Sequence, residues 1–189
     1  MMKQLLFAAL LLAFSGVSSL GADTPPASDP ASAANAFYAV YGAQHARGEG
    51  IPDATGRLRY SAVLSPRLYK QLTAAAAAQA RLSAKVKNAV PPMLEGDIFS
   101  SLFEGASAWK VGTCQGDAKT VRCPVVLTHV TAPSPGQKPE KPVSWNDTLL
   151  LVNTPQGWKV DDVIYDAGFA FGNTGRLSGM LAMVIAANP

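Results

Sequence analysis

The spacing of apolar residues changes along the chain from a helical period to an alternating one. Apolar side chains recur at helical intervals after Asp29-Pro30 and again after Ser65-Pro66, where each pair offers a capping residue and a first helical residue. A third apolar stripe, over residues 177–185, has the same period. These patterns predict two helices in the first half of the chain and a closing helix at its end. Residues 51–63 are ambiguous, with a short helix over 57–63 as one interpretation, and the short apolar segment 97–104 is expected to plug the core.

The stretch from residue 106 to residue 165 instead alternates apolar and polar positions, as β-strands do. It predicts four strands, at 106–114, 120–130, 143–153 and 157–165. A proline-rich segment, 132–142, separates the second strand from the third and cannot enter a sheet interior. Helices followed by a meander predict an α+β domain, in which the helices pack on one face of a curved antiparallel four-stranded sheet.

The turn between the last two predicted strands fixes their register. A proline in this turn cannot supply positive φ, so we expect a type I turn followed by Gly157 in the left-handed region. With a bulge at this turn, Leu151 would pair near Asp161, Leu149 near Val163 and Asp147 near Tyr165. Together with a neighbouring tryptophan, the residues on this side form a candidate pocket: Trp145, Asp147, Asp161 and Tyr165.

Asp147 is the residue in this set that most needs explaining, because an ionised carboxylate among apolar neighbours is costly unless it is paired or hydrated. One interpretation makes it an acid/base or ligand-holding group at the mouth of a pocket. The other makes it a buried structural carboxylate bonded to Tyr165, a backbone N–H or Arg176. Two carboxylates alone are a weak indication of glycosidase-like chemistry.

Glycines precede the closing helix, as they do in phosphate-binding loops. The comparison fails because the chain has no G-K-[ST] sequence and the preceding strands are predicted to be antiparallel. We expect instead that the bend lets Phe169 and Phe171 insert into the core. Asn173 or Thr174 is expected to cap the closing helix.

Arg176 falls in the first turn of that helix, where a positive charge opposes the helix dipole. It therefore predicts a carboxylate partner, Asp162 or Asp166. No cofactor or metal site is predicted, because His45 and His129 have no ligand spacing around them and no nucleophile motif is present.

Residues 1–22 have the charged, apolar and small-residue order of a secretory signal peptide. Residues 23–30 are expected to form a flexible lead, and residues 31–189 a single domain. Cys114 and Cys123 flank a short polar stretch between two predicted strands, so we expect a disulfide. The sequence thus predicts a periplasmic or secreted protein without a membrane span.

The net charge of +3 includes Lys3 of the predicted signal peptide and is too small to indicate nucleic-acid binding. The chain has no run of basic residues to support such binding.

The segments W-N-D-T-L-L-L-V, G-W-K-V-D-D-V-I-Y and F-G-N-T-G-R-L-S, all after residue 144, resemble a family of exported bacterial domains of unknown function. That family is similar to the nuclear-transport-factor-2-like, or cystatin-like, superfamily. The resemblance implies a cone-shaped cavity between helices and a curved sheet, but no catalytic residue, since fold does not decide function. The motif positions are Trp145, Asp147, Gly157, Trp158, Asp161, Asp162, Gly172, Asn173 and Gly175.

The first functional hypothesis is an exported, non-enzymatic module that binds a small ligand or a protein partner. The second is a hydrolase or isomerase that uses Asp147 with Tyr165 or Asp161. The third is an immunity-type or structural envelope protein, including one that forms a homodimer through the outer side of its sheet. The residues alone do not decide between them, and the enzyme question stays open, leaning towards no.

Overall fold

The computed structural model describes residues 29–45, 50–133, 135–136, 138 and 140–187. The predicted signal peptide and most of the predicted lead lie outside these ranges. The helices are α1 (Pro30–His45), α2 (Ala54–Tyr60), α3 (Pro66–Lys85) and α4 (Leu177–Ala187). The strands are β1 (Ala108–Val111), β2 (Gln115–Gly116), β3 (Thr120–His129), β4 (Val143–Thr154), β5 (Gly157–Tyr165) and β6 (Gly175–Arg176).

Two helices begin where the capping residues predict. The Asp29 carboxylate accepts a hydrogen bond of 2.9 Å from the Ser32 N–H at the start of α1. Ser65 is the N-cap of α3, and its Oγ accepts from the Leu68 N–H at 3.1 Å. These bonds satisfy N–H groups that the first turn of a helix leaves without an intrahelical partner.

The strands of the described chain form one antiparallel sheet in the order β1-β3-β4-β5-β6, with β2 paired to β3. The four predicted strands are present, but the predicted number of strands is wrong. The two further strands, β2 and β6, have two residues each. A segment this short carries no alternating pattern, so sequence periodicity could not reveal it.

The sheet, which we expect to be curved, is antiparallel as predicted and is not strongly curled. Bulges bend strands, and in the described ladders the register shifts at one place, between Leu150 and Leu151. The ten residue pairs that join β3 to β4 run without a shift. The long central pair of strands therefore lacks the irregularities that would curl it.

The core lies between the helices and one side of the sheet. Along β3 the buried residues Val121, Cys123, Val125 and Leu127 alternate with exposed ones. Aromatic side chains of α1 cover this side, and Phe37 packs edge-on against Phe99 from the segment between α3 and β1. The covered side of the sheet is therefore the one that faces α1.

The closing helix packs as its apolar stripe predicts. Leu177, Leu181 and Val184 are buried, and α4 contacts α3 and β5. The helical half of the chain and the C-terminal helix thus share one core with the sheet.

Candidate functional site

Asp147 lies fully buried on β4, and four donors from described residues converge on its carboxylate. The Ser101 N–H donates to Oδ2 at 2.7 Å, Trp145 Nε1–H donates to the same oxygen at 3.0 Å, and the Asp166 N–H donates to Oδ1 at 3.1 Å. The Ser101 hydroxyl donates to Oδ1. The carboxylate therefore connects β4 to the 97–104 segment and to the end of β5.

Burial raises the pKa of Asp147, and the hydrogen bonds from Ser101, Trp145 and Asp166 oppose that rise without cancelling it. Asp147 belongs to the lining of neither described cavity. The four donors, which include two backbone N–H groups, and the position of Asp147 outside both linings favour the structural interpretation of this residue.

Of the candidate pocket residues, the structure brings Trp145 to Asp147 and directs the other two elsewhere. The Tyr165 hydroxyl donates to the Ile98 carbonyl at 2.6 Å. Asp161 pairs with Arg67 Nη2 at 2.8 Å. The expected pocket is therefore not assembled from these four side chains.

The register explains where Asp161 goes. Leu149 pairs with Val163 as predicted, but Leu151 pairs with Val160 and not with Asp161, because the bulge lies inside the strand and not at the turn. The extra residue, Asp161, accepts a hydrogen bond from the Ser65 hydroxyl. It therefore attaches the start of α3 to β5.

Asp162 holds the start of α4. Its Oδ1 accepts from the Ser178 N–H at 3.0 Å, and its Oδ2 accepts from the Ser178 hydroxyl at 2.6 Å. Arg176 Nη1 lies 3.6 Å from Oδ2, which confirms the predicted carboxylate partner. Its expected place in the first turn of the helix is wrong, because Arg176 belongs to β6 and α4 begins at Leu177. The expected cap, Asn173 or Thr174, is wrong, because a carboxylate from β5 takes that role.

Asn173 instead fastens the 97–104 segment. Its Nδ2 donates to the carbonyls of Asp97 and Ser100 at 2.6 and 2.7 Å. A Cβ at Gly172 would come within 2.4 Å of the Ser101 carbonyl oxygen, so this glycine permits a close backbone approach. Both residues therefore have packing roles.

The remaining motif residues also lie in structural positions. Gly157 and Gly175 adopt positive φ, of 89° and 74°, which confirms the left-handed turn residue predicted at 157. Trp158 is half-buried on β5 and packs against the core.

The two phenylalanines of the glycine bend do not both enter the core. Phe169 packs edge-on against Trp145, with ring centroids 5.6 Å apart. Phe171 is 91% exposed, so its predicted insertion is wrong. With Leu102 and Phe103 it lines an apolar groove of about 530 Å³.

Cys114 and Cys123 form the predicted disulfide. Cys123 is fully buried on β3, while Cys114 is half-buried in the loop after β1. The bond closes the segment that contains β2.

A cavity of about 260 Å³ lies where the end of α1 meets α2 and the 97–104 segment. Its lining includes buried residues, which form the floor, and more exposed ones, which form the rim. The described lining residues are Tyr41, Gln44, His45, Gly50, Ile51, Pro52, Asp53, Tyr60, Asp97, Ile98 and Phe99. We call it the His45–Asp97 cavity.

Three polar side chains meet in this cavity, the buried Tyr41 and Asp97 and the half-buried His45. His45 Nδ1 lies 3.2 Å from Asp97 Oδ2, and the His45 ring stacks on Tyr41 with centroids 5.4 Å apart. Burial and the nearby Asp97 carboxylate raise the pKa of the Tyr41 phenol. A Cβ at Gly105, whose φ is 73°, would come within 2.8 Å of both Asp97 Oδ2 and the Tyr41 hydroxyl oxygen. This glycine therefore lets the backbone close over the cluster.

Two further polar groups lie among the lining residues. The Asp53 carboxylate caps α2 through a 2.7 Å bond from the Gly56 N–H, and its residue is exposed. The Nε2 atom of Gln44 is buried and has no hydrogen-bond partner among the described residues. An unpaired buried donor is costly, but because this atom is buried, an acceptor in the cavity does not reach it.

Sequence reasoning treated His45 as an isolated histidine and residues 97–104 as a core plug. The plug is real, since Ile98 and Phe99 are buried, but the same segment also delivers Asp97. A weak signal was available, because Tyr41 and His45 are four residues apart on a helix and must share one face. Nothing in the sequence placed Asp97 beside them.

Across the ranges that the structure describes, no three His, Cys, Asp or Glu side chains come together as a metal site would require. No helix within those ranges is long and apolar enough to cross a membrane.

The structure shows an α+β arrangement with helices and an antiparallel sheet. The chain matches no protein-family model, no curated protein and no solved structure.

Proposed function

We propose that the protein is an exported, non-enzymatic module that binds a small ligand in the His45–Asp97 cavity. The observation that carries this proposal is the convergence of Asp97, His45 and Tyr41 in one concave site. A few polar groups in an aromatic wall are the usual means by which a pocket orients a small molecule. The volume, about 260 Å³, suits a ligand smaller than a typical drug.

Export to the periplasm or outside the cell is part of this proposal. The Cys114–Cys123 disulfide supports it, because such bonds persist in oxidising compartments. A relationship to the nuclear-transport-factor-2-like superfamily is also part of this proposal. Its support is the α+β arrangement of helices on an antiparallel sheet. No described residue of the cavity lining belongs to a strand, so the proposed site differs from a cone between helices and sheet.

A fragment screen followed by ¹H–¹⁵N NMR tests the binding role. Ligand-induced shifts should map to Gly50, Ile51 and Phe99. The Ile51→Trp variant places a larger side chain among the lining residues and should abolish them. Val126→Trp, on an exposed position of β3, is the matched control and should leave them unchanged. If no fragment from a diverse library shifts the lining amides, the binding role is wrong.

A second candidate function is acid–base catalysis by a hydrolase or isomerase. It is favoured by the contact of the Asp97 carboxylate with His45 Nδ1, because such a contact fixes the orientation of an imidazole that transfers protons. Activity on hydrolase or isomerase substrates that disappears in His45→Asn and persists in His129→Asn would support it. The hypothesis for Asp147 lacks this support, since its carboxylate is buried, accepts from four donors and lines neither described cavity.

A protein partner, or a second copy of the chain, is the remaining candidate. Val126 and Val143 are 45% and 43% exposed on the sheet, and Val130, just after β3, is 51% exposed. Light scattering tests for a homodimer, and substitution of Val126 by Asp should shift any dimer to monomer. No described residue selects an immunity-type role.

A further inference from the structure

We propose that the ligand of the His45–Asp97 cavity is a small organic cation with an ammonium group. This inference rests on the proposed binding function and names the ligand class. It follows from the charge and the aromatic residues of the described lining.

The charge of the lining favours a cation. Its described residues include two carboxylates, Asp97 and Asp53, and no Lys or Arg. The Asp97 residue is 5% exposed, and His45 contributes a positive charge only when it is protonated. Arg57 lies nearby on α2, but its Nη1 donates to the Pro52 carbonyl at 2.6 Å and it is not part of the lining. A buried carboxylate gains from a cation that enters the site.

The rings of the floor suit the same class of ligand. Tyr60 and Phe99 stack with centroids 4.6 Å apart, and Tyr41 packs edge-on against Phe99. Aromatic rings attract ammonium groups that approach their faces, and this attraction strengthens where water is excluded. A carboxylate beside aromatic rings therefore selects an ammonium over a neutral alcohol of the same size.

The ligand class that fits both features is a small alkylammonium compound, such as an amino alcohol. An anion would meet two carboxylates and be rejected.

Isothermal titration calorimetry with three matched probes tests the class: 4-aminobutan-1-ol, butane-1,4-diol and 4-hydroxybutyrate. They share one carbon chain and differ in charge. We expect the amine to bind at least about tenfold more tightly than the diol, as one charge-assisted hydrogen bond implies. The anion should bind most weakly. Equal or tighter binding of the diol or the anion overturns the cation class. If none of the three probes binds, the cation class is also overturned. Neither result contradicts the binding function, which the fragment screen tests.

Two variants assign the effect to the carboxylates. Asp97→Asn should weaken binding of 4-aminobutan-1-ol by about tenfold or more, and its remaining carbonyl can still accept from the Phe99 N–H. If this variant does not fold, Asp53→Asn serves, because asparagine retains the N-cap of α2. Asp117→Asn, in the exposed turn between β2 and β3, is the control and should bind normally. Undiminished binding in a folded Asp97 or Asp53 variant contradicts the proposal.

Discussion

Ser101 and Asp147 lie 46 positions apart in the chain, yet the Ser101 N–H donates a 2.7 Å hydrogen bond to the Asp147 carboxylate. The Ser101 hydroxyl donates to the same group. One serine thus provides half of the donors that make a fully buried charge tolerable, and it ties the 97–104 segment to β4. That segment also carries Asp97, so Asp147 supports the cavity floor from a distance.

Asp147→Asn should lower the free energy of unfolding by about 2 to 4 kcal/mol, because the amide NH₂ would face donors that then lack an acceptor. Urea denaturation followed by circular dichroism measures the change. Asp166→Asn is the control, since Asp166 is exposed and its side chain accepts one bond, from Thr148. We expect a loss of about 0.5 kcal/mol or less there. Equal losses in the two variants would show that Asp147 is not a structural anchor.

Asp162→Ala should release the start of α4 and cost about 2 to 3 kcal/mol, because the variant loses a helix cap and leaves a Ser178 donor unpaired. Hydrogen exchange of the α4 amides should be faster in this variant than in the native protein. Asp161→Ala is a matched neighbour. Asp161 accepts from the Ser65 hydroxyl and from the half-exposed Arg67, both at the start of α3, so about 1 to 2 kcal/mol is expected, without faster exchange in α4. Slow exchange throughout α4 in the Asp162 variant would contradict this role.

Alkaline pH should destabilise the protein steeply. Burial, assisted by nearby carboxylates, raises the pKa of four tyrosines, which are Tyr38, Tyr41, Tyr60 and Tyr165. In the unfolded chain they ionise near pH 10, so the folded state then holds more protons and its stability falls as pH rises. Their contribution to the free energy of unfolding is complete below about pH 10. Above that pH it declines by about 1.4 kcal/mol per pH unit for each tyrosine.

Absorbance at 295 nm recorded together with circular dichroism checks this prediction. Tyrosinate absorbance from these four residues should appear only as the protein unfolds. Tyr60→Phe should reduce the slope of the unfolding free energy against pH by the contribution of one of the four tyrosines. Ionisation of all four before any loss of secondary structure would contradict the assigned burial.

Reduction of the Cys114–Cys123 disulfide should lower stability by about 2 to 3 kcal/mol, the chain-entropy cost of freeing so short a loop. Thermal unfolding with and without a reductant measures the difference. A chain with both cysteines replaced by alanine is the control, because its melting temperature should not respond to the reductant. An unchanged midpoint in the native chain would mean that the bond adds no stability.

The sequence predicted those features that depend on local pattern. The capping pairs Asp29-Pro30 and Ser65-Pro66 fixed two helix starts, and alternation marked the four longer strands. The buried stripe of α4 followed from its period, and the disulfide from the short spacing of its cysteines.

The features that the sequence did not predict depend on contacts between distant segments. The bulge at Asp161 forms where residues 63–65 join β5, through the Ser65 N–H to the Val160 carbonyl and the Val160 N–H to the Val63 carbonyl. No turn rule anticipates such a junction. The meeting of His45 with Asp97 likewise requires the 97–104 segment to fold back against α1, which no local pattern encodes.

The most direct test of the central claim is a ¹H–¹⁵N NMR titration of the native protein with 4-aminobutan-1-ol. The account predicts saturable shifts of the amides of Gly50, Ile51, Asp97 and Phe99, at the His45–Asp97 cavity. Shifts confined to Ser101 and Asp166 around Asp147, or to Phe103 and Phe171 in the apolar groove, would contradict it.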